Sequence, residues 1–258
     1  MAPFATLQVI RPSMLISRLV LALAVCAMSC SSKWRTSFDN GVEAYRHGKY
    51  VQAVDALEQA AAARPDSVET RVYLANAYLK QYRPGASVAK KAEEHLRKAL
   101  EIEPMSRAAL QSLGWLEFNE AQNLVGTGEK LAMLDLAAGC YRKLSAIHPK
   151  DGYYWLGVIA WLKAHAQLTD ARAQLHLEPE DSGPLSDEKV RGALGPLYDD
   201  AVKQLARALE TDPDSGDAMV FMSLCLREKA DLAASDDDYA QVIRQADEWS
   251  QKARSAKR

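Results

Sequence analysis

The chain is more informative at first for what it has little of. Cysteine occurs four times in 258 residues, and two of the four lie in an apolar stretch near the N-terminus. Cys140 and Cys225 remain, far apart in apolar-periodic segments, so neither a disulfide framework nor a metal-ligand spacing is present, and buried free thiols are expected. Proline (10) and glycine (13) are modest, which excludes a largely disordered chain. Neither charge dominates: 32 basic and 34 acidic residues are mixed throughout, and no basic stripe marks a nucleic-acid site. Catalytic signatures are missing as well, with no Gly-rich phosphate loop, no GxSxG, no Ser/Lys spacing and no HExxH. Most of the carboxylates lie on amphipathic helices, where a solvated face accounts for them. No enzyme and no cofactor are expected.

What the chain does contain is a spacing. Ala-x3-(Leu/Tyr/Ser)-x2-(Ala/Leu) occurs at Ala53/Leu57/Ala60, Ala92/Leu96/Ala99, Ala137/Tyr141/Leu144, Ala201/Leu205/Ala208 and Ala246/Ser250/Ala253. In the first four copies a proline (Pro65, Pro104, Pro149, Pro213) stands twelve residues after the first alanine. Each copy reads as the second helix of a pair, stopped by proline, which lacks a donor and clashes with the preceding turn. A small residue, Gly41, Ala75, Gly114, Gly157 or Ser223, marks the tight point of each first helix. A bulky replacement there should overpack the helix crossing.

Over about 34 residues this pattern resembles the tetratricopeptide repeat (TPR). The segment FDNGVEAYRHGKYVQAVDALEQAAAARPDS fits it almost unadjusted, with Gly48-Lys49-Tyr50 at the turn between helices. The resemblance implies an all-α fold, a right-handed superhelix of stacked antiparallel helix pairs with about five irregular repeats. Their approximate bounds are 34–67, 68–106, 107–149, 150–215 and 216–258, within one domain spanning 34–258. Most of 68–256 also resembles secreted bacterial TPR proteins to which no activity is assigned.

The separation from small residue to alanine grows from 12 in the first repeat to 17, 23, 44 and 23. The extra residues therefore lie between the two helices of a pair, as longer helices or longer turns. Pro84-Gly85 closes one first helix, and Leu175–Pro196 reads as a loop with a short helix near Asp187–Ala193. The last helix is expected from about Tyr239, running into the basic, solvating cap KARSAKR.

TPR first helices line a groove, and the resemblance implies outward positions at fixed offsets from the small residue. One and four residues beyond it stand Val42 and Tyr45, Asn76 and Leu79, Trp115 and Phe118, Val158 and Trp161, Leu224 and Arg227; three before it stand Phe38, Val72, Gln111, Tyr154 and Val220. The candidate groove is thus Tyr45, Asn76, Lys80, Trp115, Phe118, Asn119, Tyr154, Trp161 and Arg227: aromatic anchors with polar edges, suited to an extended or helical peptide. The bland alternative is that these rings pack against the next repeat. Asn76 with Lys80 resembles part of the carboxylate clamp of chaperone-binding TPR domains, but the clamp's other basic positions are absent. His95 and His148 read as solvated surface. His165 and His176, near Glu178, Glu180 and Asp181, are the one conceivable metal arrangement, and no i,i+4 pair sets ligand geometry there. A rival reading places a small-ligand, metal or enzymatic site in 165–196.

The N-terminus is a separate matter. Arg18 precedes Leu19–Cys30, an apolar run of about ten residues that is too short to span a membrane and fits a secretory signal. Ala27-Met28-Ser29-Cys30 resembles a bacterial lipobox, with Ala27 where a larger aliphatic residue is usual. That resemblance implies a signal peptide over 1–29, lipidation of Cys30, and a short tether over 30–33, with Met14 an alternative start. The expectation is a lipid-anchored, non-catalytic scaffold of the bacterial cell envelope that binds a protein or peptide partner. Its oligomeric state and partner stay open.

Overall fold

The computed structural model describes residues 32–83, 87–177, 183–185 and 187–256. Among them stand ten helices and no strand: α1 (32–46), α2 (Tyr50–Ala63), α3 (Val68–Leu79), α4 (Ser87–Ile102), α5 (Arg107–Gln122), α6 (Thr127–Ile147), α7 (Pro149–Gln174), α8 (Glu188–Thr211), α9 (Gly216–Ala230) and α10 (Asp236–Ala256). They form consecutive antiparallel pairs of the TPR type, as expected from the repeat. Two compact units result. The first comprises residues through Tyr82 with Lys90–Ile102, and the second Arg83–Ala89 with Glu103 onward. The signal and lipobox residues, Cys30 among them, lie outside the described residues, as do Pro84-Gly85, Glu178–Asp181 and the final Lys257-Arg258. No described helix is long and apolar enough to cross a membrane.

Four of the pairs show one and the same crossing. A Cβ on Gly41 would stand 2.5 Å from Leu57 Cγ, one on Gly114 2.8 Å from Tyr141 Cε2, and one on Gly157 2.6 Å from Leu205 Cγ. Leu57, Tyr141 and Leu205 all fill the motif's second position and are fully buried. The small residue of a first helix therefore makes room for that side chain of the second, and the glycine–tyrosine pair at 114/141 is the same lock with a larger tenant. In the last repeat the lock is polar: Ser223 Oγ donates to Ala246 O at 2.8 Å and lies 2.7 Å from Ser250 Oγ. That explains why serine replaces leucine in the fifth motif.

The prolines work as part of a turn. At Pro65-Asp66-Ser67 and Pro213-Asp214-Ser215 the serine two residues on caps the next helix, accepting from Thr70 N at 3.2 Å and Ala218 N at 3.4 Å. Pro149 departs from this, because it is the first residue of α7 and His148 alone separates α6 from α7. The abrupt corner needs a glycine: a Cβ on Gly152 would sit 2.3 Å from the Ser145 backbone. At the first turn Gly48 takes φ +72°, the left-handed geometry that glycine tolerates.

The inserts are mostly helix. α6 and α7 have 21 and 26 residues where α2 has 14. The expected short helix at 187–193 is instead the start of α8, which runs unbroken for 24 residues with Pro196 inside it. Asp187 caps it, accepting from Lys189 N and Val190 N. The real connection is only 175–187. The last helix begins at Asp236, three residues before the expected start. Cys140 and Cys225 are free and buried, as anticipated.

Candidate partner-binding face

Three helices of the second unit, α5, α7 and α9, carry six of the nine predicted groove residues. Their rings are organised by a rule that the offsets alone did not reveal. Phe118 meets Trp155 edge-on at 5.1 Å, while Tyr154 and Trp161 both meet Phe221, at 6.1 and 5.4 Å. The first unit repeats it, with Phe38 and Tyr45 on Tyr73 at 5.7 and 6.0 Å. Tyr73, Trp155 and Phe221 each stand two residues before a small residue. A ring at that place receives the rings three before and four after the small residue of the preceding repeat. These three aromatics were missed in the sequence, although their common offset was there to be found.

The consequence is that most predicted groove aromatics do two jobs. Tyr45, Phe118, Tyr154 and Trp161 are half-buried, joining one first helix to the next while leaving an edge in solvent. Burial pushes the Tyr154 hydroxyl up to about 12, with a smaller contribution from Asp217. Burial likewise raises Tyr45, aided by Tyr50 and Tyr73. Val42, Val72 and Val158, expected to face outward, are buried, whereas Val220 at the equivalent place in the last repeat is half-buried. Trp115 and Leu224, by contrast, are 37% and 39% exposed, and both stand one residue beyond a small residue. Asn119 donates to Trp115 O at 2.7 Å, and Arg227 pairs with Asp247 on α10. In the first unit Asn76 is half-buried and Lys80, at the end of α3, is exposed.

At the far end of α7 and α9 lies a polar centre. One Glu228 oxygen accepts from Trp161 Nε1 at 3.0 Å and Tyr198 Oη at 2.9 Å, and the other lies 2.9 Å from His165 Nδ1. The bond to Glu228 raises the His165 pKa against the opposing effect of burial. One turn on, Arg172 pairs with Asp231 Oδ2 at 2.5 Å, and Leu185 N donates to Asp231 O at 2.7 Å. Burial raises the Asp231 carboxyl while Arg172 and the Gly183 backbone pull it back. Glu228 and Asp231 thus hold α7, α8 and the near end of the 175–187 connection to α9.

That arrangement bears on the rival site in 165–196. A cavity of about 390 Å³ is lined by His165, Leu168, Thr169, Arg172, Glu228 and Asp231, but its ionisable groups are turned on one another. His176 is exposed at φ +55°, past the end of α7, and does not join it. No group of three metal-ligating side chains occurs among the described residues. His95 is not the solvated surface residue expected: it is half-buried against Tyr78, with ring centroids 6.1 Å apart, and burial lowers its pKa. His148 is partly buried beside Asp151.

No protein-family model matches the chain, and no curated protein matches its sequence. Solved structures do. A crystal structure of the MamA protein superposes with TM-score 0.56 at 18% identity, over 87% of this chain and 96% of that one. MamA 41-end from Desulfovibrio magneticus RS-1 gives 0.53 at 13% identity, over 85% and 96%. A thermophilic TPR protein of Thermus thermophilus, TTC0263, gives 0.44 at 22% identity, over 75% and 98%. At such identities the likeness to the two MamA structures is one of fold.

Proposed function

We propose that the chain is a non-catalytic scaffold whose α5/α7/α9 face holds a peptide segment of a partner protein. The observation that carries this reading is the pair of exposed apolar side chains, Trp115 and Leu224, flanking a row of half-buried rings, Phe118, Tyr154, Phe221 and Trp161. Large apolar anchors on a preformed aromatic floor lose little conformational freedom on binding, which favours a short segment over a broad flat interface. Asn119 and the Arg227–Asp247 pair give the face polar edges.

We place the scaffold in the bacterial envelope, secreted by the signal over 1–29 and anchored through a lipid on Cys30, on the sequence resemblance described above. One acyl chain would hold it marginally, and several would hold it firmly.

In-cell crosslinking from native membranes tests both parts. Trp115→Ala/Leu224→Ala removes the exposed anchors and leaves the Phe118–Trp155, Tyr154–Phe221 and Trp161–Phe221 ring pairs with both partners. A partner captured by the wild type and lost by this variant is expected. Capture of the same partners by both would sink the groove reading. Cys30→Ser should release the protein from the membrane fraction, and retention there would remove the lipid anchor.

A further inference from the structure

A second surface of the same unit is built differently from the aromatic face. α6 and α8 each pack on α7. The cleft above α7 has a volume of about 410 Å³. It is lined by three matched helical stripes: residues 135, 138, 142 and 145 on α6, 153, 156, 160 and 163 on α7, and 197, 200, 204 and 207 on α8. Each stripe follows i, i+3, i+7, i+10, so the cleft is a straight trough about 15 Å long, the length of a three-turn helix. Its floor is apolar, formed by Leu156, Ile159, Ala160 and Leu197. These α7 positions turn away from Trp161 and His165, so the trough and the aromatic face are separate.

The charges at the two ends are opposite. At one end stand Asp135 and Asp200. Lys163 neutralises Asp135 at 2.5 Å, and Asp200 accepts the Gln204 amide at 2.9 Å. At the other end stand Arg142 and Arg207, both exposed and neither paired with a carboxylate among the described residues. Arg207 instead lies over the Tyr153 ring, 5.3 Å from its centroid. The basic end is where α6 and α8 terminate, so a helix laid antiparallel to them presents its N-terminus to the two arginines. Acidic residues are favoured in a helix's first turn and basic residues in its last, which is the polarity this trough complements.

We infer that the α6/α7/α8 trough docks one amphipathic helix of a partner protein, about three turns long, with an acidic first turn against Arg142 and Arg207 and a basic last turn against Asp200. The proposal goes beyond the aromatic face and does not depend on it.

The test uses the whole protein and two fluorescein-labelled 14-residue helical peptides sharing one leucine stripe. One carries Glu in its first turn and Lys in its last, and the other has these reversed. By fluorescence anisotropy at low salt, the Glu-first peptide is expected to bind roughly tenfold tighter, as two partly screened charge pairs allow. Arg142→Glu/Arg207→Glu, with an unchanged circular dichroism spectrum, should invert the order. Trp115→Ala/Leu224→Ala should leave it alone. Binding by neither peptide, equal affinity for both, or a preference that survives the arginine reversal would overturn the proposal. So would binding lost in Trp115→Ala/Leu224→Ala, which would assign the peptide to the aromatic face instead.

Discussion

The first hairpin, α1/α2, and the tall one, α7/α8, share a crossing and differ above it. In both, a glycine admits a buried leucine: Gly41 for Leu57 and Gly157 for Leu205. The short pair ends five residues beyond its glycine in a Gly48 turn and uses apolar and ring contacts. The tall pair runs on to Gln174 and returns from Glu188, and its upper part is held by Glu228 and Asp231 from the next repeat. A packing lock suffices for two or three turns. Longer helices leave the lock behind, and in this chain a buried polar centre takes over.

That contrast can be broken at its strongest point first. Gly152→Ala drives a Cβ into the Ser145 backbone, with no side chain to yield, and should cost about 3 kcal/mol or more in urea denaturation. Glu228→Ala strips the acceptor from Trp161, Tyr198 and His165 together and should cost about 3 kcal/mol. If it costs no more than an exposed-site substitution, the polar centre does not hold the tall hairpin. Gly41→Ala and Gly157→Ala meet leucine side chains that can shift, so each should cost about 1–2 kcal/mol, and nearly the same amount. A large difference between them would show that the shared crossing is not one device. Gly48→Ala, with open space but left-handed φ, should cost about 1 kcal/mol.

The smallest effect distinguishes the two units by pH. His95 and His165 are both half-buried and stacked on a ring, Tyr78 and Trp161 respectively. Burial prevails at His95, so its folded pKa is depressed; its stabilising contribution is present above about pH 6.5 and is lost as pH falls below it. The Glu228 partner prevails at His165, so its folded pKa is raised; its contribution is present below about pH 6.5 and is lost as pH rises through the folded value. Histidine proton resonances should titrate on opposite sides of 6.5, and Glu228→Gln should bring His165 down toward His95. Coincident titrations in the wild type would contradict this account.

Much of the fold was legible because its signals are local. A proline at a fixed distance stops a helix, and a small residue at a fixed distance marks a crossing. Both can be counted without knowing what touches what. The helical continuation of α8 through Pro196 was not legible, since proline reads as a stop and only packing of Leu194 and Tyr198 into the core carries the helix past it. The candidate face was half legible. Tyr45, Phe118, Tyr154 and Trp161 stand on the helices expected, yet their sharing between solvent and the next repeat depends on Tyr73, Trp155 and Phe221, which belong to that next repeat.

By itself, the sequence determined the all-α class, the pairing of consecutive helices and the crossing residues, because periodicity, breakers and small residues act within a few turns of chain. Only the tertiary structure decided which rings keep an edge in solvent. It alone showed that His165 is held by Glu228, and that three separate helices align their charges along one trough. The physical reason is that burial and charge pairing are set by neighbours in space, and in a repeat array those neighbours come from the next repeat.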